Sequence, residues 1–466
     1  MSRLSIAASR RRFLAGMAAA PVALALGAPA RADRSGADMI LIALADLHSA
    51  YGRLPGIVRA VRDIVASAQG TPVAILLNGD VFERGNAVAK NSEGMADWAF
   101  LGALRASAPL IYNIGNHEVA LRDDLTSLVT GVKRIGAHIV SNVMDNRTGG
   151  FFAPVSARVA MGRRRIGVMG LAPNDPLAWR EAARDALGLL DPESFAGSMM
   201  TSAFTGADLP IVMSHAGLAA DKRILAKLPA GALMIGAHDH LTLEHRENGG
   251  LYVHTGCWGE SLSVISVRFA PEGPQFEVET VAIAADAPQD LAISGIVKAA
   301  TLAFLPIDGR EIIGALPRAQ SRAESMLFAA DAVRRAAGAD IALLNHSAFG
   351  APLPGGGLRR YDLDNFVRFD GDVMTAEVDG ATLAAILKGA NQHDAATLDA
   401  RTGDYVHARA LTPEAGRMYR VATSGWVAGR QAAYLGAEGV NFVPAPDVAI
   451  KTSIEAALRA ADDDGG

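Results

Sequence analysis

Five short apolar runs, each stopping abruptly at Asp, Asn or His, constrain this chain more than any other feature of it. Residues 39–45 (MILIALA) stop at Asp46-Leu47-His48, and residues 73–77 stop at Asn78-Gly79-Asp80. Residues 110–114 lead into Gly115-Asn116-His117-Glu118, residues 211–213 into Ser214-His215, and residues 232–235 end near His238-Asp239-His240. A short continuous apolar run closed by polar residues reads as a strand covered on both faces. In layered α/β sheets the carboxyl edge of such strands is where ligands bind. Residues 57–68 fit between the first two runs with apolar residues at Ile57, Val58, Val61, Ile64 and Val65, a helical spacing, and Pro55 stands ahead of them as a start signal. Residues 139–143 and 166–171 add candidate strands, and the mixture reads as α/β with helices covering the sheets.

At 466 residues the chain exceeds one ordinary core. Half of it is hydrophobic and 20% is charged, which excludes a disordered chain. Near residues 282–290 the composition turns to Ala, Asp and Pro, and residues 291–304 have a helical pattern. We therefore expect a first domain over residues 38–281, a linker with its helix over 282–304, and a smaller α+β domain over 305–466. In the latter, helical patterns at 329–337 and 381–387 flank an apolar strand at 341–344 and a Gly/Pro-rich loop at 352–357, without a cluster of metal-ligating residue types.

The N-terminus is a separate object. Ser9-Arg10-Arg11-Arg12-Phe13-Leu14 precedes an Ala-rich stretch and small-residue cleavage sites around Ala28 to Ala32, which resembles a twin-arginine export signal over residues 1–32. Gly16 and Pro21 break the stretch, which is shorter than the ~20 residues of a spanning helix. Losing Arg3, Arg10, Arg11, Arg12 and Arg31 and no acid takes the net charge from −5 to about −10, which argues against general nucleic-acid binding. Cys257 is the single cysteine, so no intramolecular disulfide forms. The expectation is a periplasmic or secreted protein that meets the twin-arginine machinery and carries no membrane anchor once matured.

Two divalent cations ~3.5 to 4 Å apart clamp a phosphoryl oxygen and activate water, given a carboxylate between them and a mixed N/O shell. The strand ends hold such a set: Asp46 and His48 are spaced to converge on one ion, Asp80 can bridge, and Asn116, His215, His238 and His240 complete two shells. In this order the motifs Asp-x-His, Gly-Asp, Gly-Asn-His-Glu, Ser-His and Gly-x-His-x-His resemble those of the calcineurin-like metallophosphoesterases. Residues 214–245 (SHAGLAADKRILAKLPAGALMIGAHDHLTLEH) and 250–260 (GLYVHTGCWGE) are similar to the secreted 5'-nucleotidase branch, as are residues 339–345 and 364–387 in the second domain.

The resemblance implies a four-layer α/β/β/α dimetal domain joined to a 5'-nucleotidase-like substrate domain. It implies one ion (Zn, Mn, Fe or Co) on Asp46, His48, Asp80 and His240 and another on Asp80, Asn116, His215 and His238. His117 would steady the phosphoryl transition state or protonate the leaving oxygen. The implied reaction is hydrolysis of a small phosphomonoester, a nucleotide foremost, by metal-activated water. Thiosulfohydrolase-like or cyclic-nucleotide phosphodiesterase activity on the same scaffold, and a non-enzymatic binding protein, are the alternatives.

The chain also departs from that family. The position that usually holds the Asp partner of His117 is Ala120, with Asp123 or Asp124 as possible substitutes. The arginine expected five residues after Asn345 is Gly350, which leaves Arg322, Asn345 and Phe369 as candidate substrate contacts and Tyr434 as a second ring beside Phe369. Histidines 138, 245, 254, 346, 393 and 407 are read as structural, although the resemblance implies that the segment carrying His254 loops near the site, and Cys257 is read as a packed thiol.

Overall fold

The computed structural model describes residues 34, 36–390 and 397–463, so the expected export signal and His393 lie outside the described residues. In the first sheet the strands run in the order Gly273–Ala282, Ser261–Ala270, Met39–Leu44, Val73–Asn78, Leu110–Asn113 and His138–Val140. The last four are parallel, and Ser261–Ala270 returns antiparallel beside Met39–Leu44. The second sheet has the order Thr242–Glu247, Gly250–Thr255, Leu233–Gly236, Leu209–Ser214, Arg164–Leu171 and Ser156–Met161, parallel through its four inner strands.

The two sheets pack face to face. Met39, Leu41 and Ala43 point one way into a core shared with Ile211, Met213, Leu233 and Ile235 of the other sheet. Ile40, Ile42 and Leu44 point the other way, against the helices Leu54–Ser67 and Met95–Ser107. Met169, Val212 and Met234 on the outer face of the second sheet are covered by the helices Pro192–Phe204 and Leu218–Leu225. This is the four-layer α/β/β/α architecture, and burial on both faces is why the strands read as unbroken apolar runs.

Two buried amides stitch the sheets together just below the strand ends. Asn78 Nδ2 donates to Ser214 O and Ile235 O at 2.9 and 2.8 Å. Asn113 Nδ2 donates to Asn78 Oδ1, Leu171 O and Met213 O at 2.8 to 3.0 Å. Amides anchored to carbonyls across a buried interface allow few alternative arrangements, so they fix how one row of strand ends faces the other.

The second domain is built on a sheet of order Val406–His407, Ile341–Asn345, Met418–Ser424, Asp372–Asp379 and Val443–Ala449. Helices Arg322–Ala336 and Ile450–Asp463 cover one face and helix Gly380–Ala390 the other. Ser321 and Glu324 form a capping box that starts the helix Arg322–Ala336. The helix Leu291–Phe304 is capped by Asp290 and packs Ile293 and Ala300 into the helical layer of the first domain. Among the described residues no helix is long and apolar enough to cross a membrane.

Candidate metal centre

The strand ends turn sharply. Asp46, His48, Asp80, His238 and His240 all lie at positive φ, between 46° and 77°. Such a conformation costs a non-glycine residue on the order of 1–3 kcal/mol and persists where the surroundings over-determine it. Here the turns hold one another: Asp46 N donates to Gly79 O at 3.1 Å, His48 N to Asp80 O at 2.9 Å, and Trp258 N to Asp46 O at 2.7 Å. Gly79 is obligatory at φ +78°, because a Cβ there would lie 2.6 Å from Gly115 N and 2.7 Å from His215 Nδ1.

The turns bring together the side chains singled out in the sequence. Asp46, His48 and His240 form one group whose ligand atoms all lie within 4.8 Å of one another, and Asp80, His215 and His238 form another. His48 Nε2 and His240 Nε2 face each other at 2.9 Å. Asp80 Oδ2 lies 3.2 Å from His215 Nε2 and 3.9 Å from His48 Nε2, between the two groups. Asn116 joins the second group by accepting from His238 Nδ1 at Oδ1, 3.0 Å away, while its Nδ2 donates to Ala178 O.

The electrostatics fit a cationic occupant. Burial foremost, with Asp80 and Glu118 adding to it, raises the Asp46 carboxyl to about 7 against the pull of His215. Burial opposes a charge on His215, yet Asp80, Asp46 and Glu118 drive it up to about 10. Burial lowers His48 to about 3 and His238 to about 4. The buried atoms His240 Nδ1 and Glu118 Oε2 have no hydrogen-bond partner. His215 Nδ1 donates to Asn78 O at 2.7 Å, so Nε2 is the nitrogen that would present a lone pair once a bound cation replaces its proton. Crowded carboxylates beside imidazoles suit divalent cations, which would take the place of the His215 proton and relieve the repulsion from Asp80 and Glu118 that adds to burial in raising Asp46.

His117 stands at the edge of this cluster, its side chain 21% exposed. Its backbone N donates to Asp80 Oδ1 at 2.7 Å. The carboxylate that faces its ring comes from Glu83, whose Oε2 is 3.4 Å from His117 Nδ1 and 3.3 Å from His48 Nδ1. The expectation that Asp123 or Asp124 replaces the missing partner at position 120 is corrected here. Asp123 pairs with Arg180 at 3.1 Å, and Asp124 caps the helix Leu125–Arg134 and binds Arg147, so both are engaged elsewhere. On the other side of the ring, Arg368 Nη2 donates to His117 Nε2 at 2.9 Å. A guanidinium is donor only, so Nε2 is the acceptor and Nδ1 carries the proton toward Glu83.

The other candidates have the following places. Arg322 is buried and donates through Nη2 to His346 O and Phe349 O at 2.9 and 3.1 Å, and Asn345 Nδ2 donates to Ser347 Oγ. In these contacts both shape the loop that follows the strand Ile341–Asn345. Phe369 is 59% exposed, with the Arg368 guanidinium 5.2 Å from its ring centroid. Tyr434 OH accepts from Trp426 Nε1. His254 is buried against Tyr252 OH and Asp221, Asp239 accepts from Leu218 N, and Cys257 is a buried thiol that burial pushes up to about 12.

Glu83, Trp258 and Arg368 were not singled out from the sequence. Glu83 lies three positions past Asp80, Trp258 stacks on His48 at 4.8 Å, and Arg368 precedes Phe369. Only the nearness of Glu83 to a strand end signalled a place in the site.

Residues 39–241 match the calcineurin-like phosphoesterase family, and residues 312–425 match the 5'-nucleotidase C-terminal domain. The fold is similar to that of a 5'-nucleotidase precursor from Thermus thermophilus, at TM-score 0.58 and 18% identity over 91% of this chain and 96% of that one. It is similar to the Thermus thermophilus sulfate thiohydrolase SoxB at TM-score 0.62 and 15% identity, over 91% and 94% of the two chains. A 5'-nucleotidase from Candida albicans superposes at TM-score 0.57 and 12% identity over 91% and 98%. No curated protein sequence matches the chain significantly.

Proposed function

We propose that this chain, a member of the calcineurin-like phosphoesterases that carry a 5'-nucleotidase C-terminal domain, acts as an exported dimetal hydrolase of phosphomonoesters, with nucleotides as the leading substrates. Family membership makes it a metal-dependent hydrolase of ester bonds. The observation that carries the finer reading is the convergence of Asp46, His48, Asp80, His215, His238 and His240 from separate strand ends on one buried cluster, with Asn116 attached through His238.

In this reading Asp46, His48, Asp80 and His240 would hold one ion, and Asp80, Asn116, His215 and His238 the other. Bound divalent cations supply Lewis acidity toward a phosphoryl oxygen and lower the pKa of water. The chain's own residues orient and exchange protons. Glu83 fixes the His117 ring, and in its cationic form His117 donates from Nδ1 to Glu83 and from Nε2 to a phosphoryl or leaving oxygen. Trp258 backs His48 and excludes water from that side of the site. Phe369 offers an open ring face to a base, and Arg322 and Asn345 hold the neighbouring loop in place.

A second reading, thiosulfohydrolase-like cleavage at the same centre, is favoured by one observation: position 350 holds no arginine for a nucleotide phosphate. Assaying the metal-loaded mature chain against nucleoside monophosphates, simple phosphate esters, cyclic nucleotides and cysteine S-thiosulfonate peptides separates the two. Phosphate release from the monoesters supports the first reading, and sulfate release alone supports the second. Export by the twin-arginine route is tested by fractionating cells that express Arg10→Lys/Arg11→Lys, which should retain the protein in the cytoplasm.

A further inference from the structure

Resting on the phosphoester reading, we infer that Arg368 is the substrate-anion-binding residue of this site. It would supply from the second domain the guanidinium that position 350 lacks, and in this structure it rests on Glu83 and His117.

Space rules out a side chain from position 350. A Cβ on Gly350 would lie 2.2 Å from Asn365 O and 2.8 Å from the Trp258 ring. Trp258 is 1% exposed and stacked on His48, so it has little room to yield. The cation reaches the site by another path. Arg368 follows the helix Arg360–Phe366, and its backbone N donates to Ala348 O at 3.1 Å, which fixes where its side chain starts.

That side chain is 5% exposed and ends 2.9 Å from His117 Nε2 and 3.0 Å from Glu83 Oε2. Its guanidinium carbon lies 5.4 Å from the Trp258 ring centroid. A guanidinium has five N–H donors in a planar fork, yet the Arg368 Nε is buried with no partner. Its neighbour Nη2 gives one of its contacts to the imidazole nitrogen that a reacting oxygen must approach. A buried cation with an unused donor, beside the site where a phosphoryl oxygen belongs, matches the bidentate recognition of a tetrahedral oxyanion. Phe369, next in sequence and exposed, places an apolar surface beside the anion, so the ligand class is a tetrahedral oxyanion ester with a flat or apolar leaving group.

The test measures binding of inorganic phosphate, and separately of sulfate, to the metal-loaded mature chain by calorimetry, for wild type, Arg368→Ala and Arg368→Lys. The loss of a charge-assisted pair predicts phosphate binding weakened by about 10- to 100-fold in Arg368→Ala, with KM for an accepted ester raised by a similar factor. Arg368→Lys retains part of the affinity, and added guanidinium ion restores part of it to Arg368→Ala. The Nε–H resonance of Arg368 in the unsubstituted protein shifts on phosphate titration, a readout that needs no folded variant. Stronger sulfate than phosphate binding keeps the inference and moves the substrate to a sulfur oxyanion. Phosphate and sulfate binding unaltered in Arg368→Ala, a KM lowered by the substitution, or no binding of either anion to the wild type would each overturn it. A wild type that binds phosphate through Arg368 but hydrolyses no ester leaves the inference standing and removes the phosphoesterase reading.

Discussion

Glu83 Oε2 lies 3.4 Å from His117 Nδ1 and 3.3 Å from His48 Nδ1, so one buried carboxylate faces two imidazoles of the site. Burial alone would raise the Glu83 carboxyl, but Arg368, His117 and His48 hold it well below the usual carboxylate range. It is therefore an anion at neutral pH. Its Oε1 accepts from Gly85 N at 2.9 Å and its backbone N donates to Ser49 Oγ, so the side chain has a fixed direction. Glu83→Gln keeps the shape and removes the charge. The expected outcome is a fall in kcat of about 10- to 100-fold with metal content retained, checked by steady-state kinetics and elemental analysis. Ala120→Asp should not raise activity, because Nδ1 of His117 already faces the Glu83 carboxylate. A gain in that variant would show that Glu83 is not its working partner.

Asp80 is shared by two candidate ligand groups, one with His215 and His238 and one with His48 and His117. Asp80→Ala should lower bound metal below that of the wild type by elemental analysis and reduce phosphate release by at least about 1,000-fold, the scale on which removing a central catalytic group acts. Divalent metal should raise the melting temperature of the stripped wild type, since it binds the folded state only. Asp80→Ala should lose most of that rise, and an equal rise in both proteins would place the metal elsewhere.

The strand ends were legible in the sequence because a strand covered on both faces leaves an unbroken apolar run whose end is easy to see. Residues 39–45 became the strand Met39–Leu44 and residues 73–77 the strand Val73–Asn78. The surroundings of His117 were not legible for a physical reason. Arg368 is 251 positions away and meets the ring only because the second domain folds over the first. Glu83 is near in sequence, but its direction depends on the turn at Asp80, at φ 54°, which no periodicity records. The short strand Gly356–Arg359 was hidden for the opposite reason, since it begins inside a Gly/Pro-rich stretch that reads as loop. The arginine missing at Gly350 was visible in the sequence, whereas the Trp258 ring that fills its place is a tertiary fact.

That ring makes a prediction about repair. Gly350→Arg should not restore an arginine to the site, because its Cβ meets Asn365 O and the Trp258 ring before the side chain begins. Overpacking of this kind costs about 1–3 kcal/mol, read as an earlier thermal or urea transition. A stable Gly350→Arg protein with improved phosphate affinity would contradict the packing described.

Stability should depend on pH through Asp97. Its Oδ2 accepts from Tyr51 OH at 2.7 Å, and burial raises its carboxyl to about 7 against the lowering effect of that hydrogen bond. The folded value exceeds the unfolded one, so the native state binds the extra proton in the interval between them. Stability from this group is full below about pH 4 and is lost as pH rises through about 7. Asp97→Asn should therefore melt above the wild type near pH ~8, with the advantage shrinking toward pH ~5. A variant less stable than the wild type at the higher pH would show that Asp97 is paired as an anion.

The most direct test of the central claim is release of inorganic phosphate from a nucleoside monophosphate by the purified mature chain, reconstituted with Mn or Zn and compared with the same chain in excess chelator. Turnover should depend on added metal and disappear both in chelator and in Asp80→Ala. A fully metal-loaded wild type that releases no phosphate from any ester in a broad panel would contradict it.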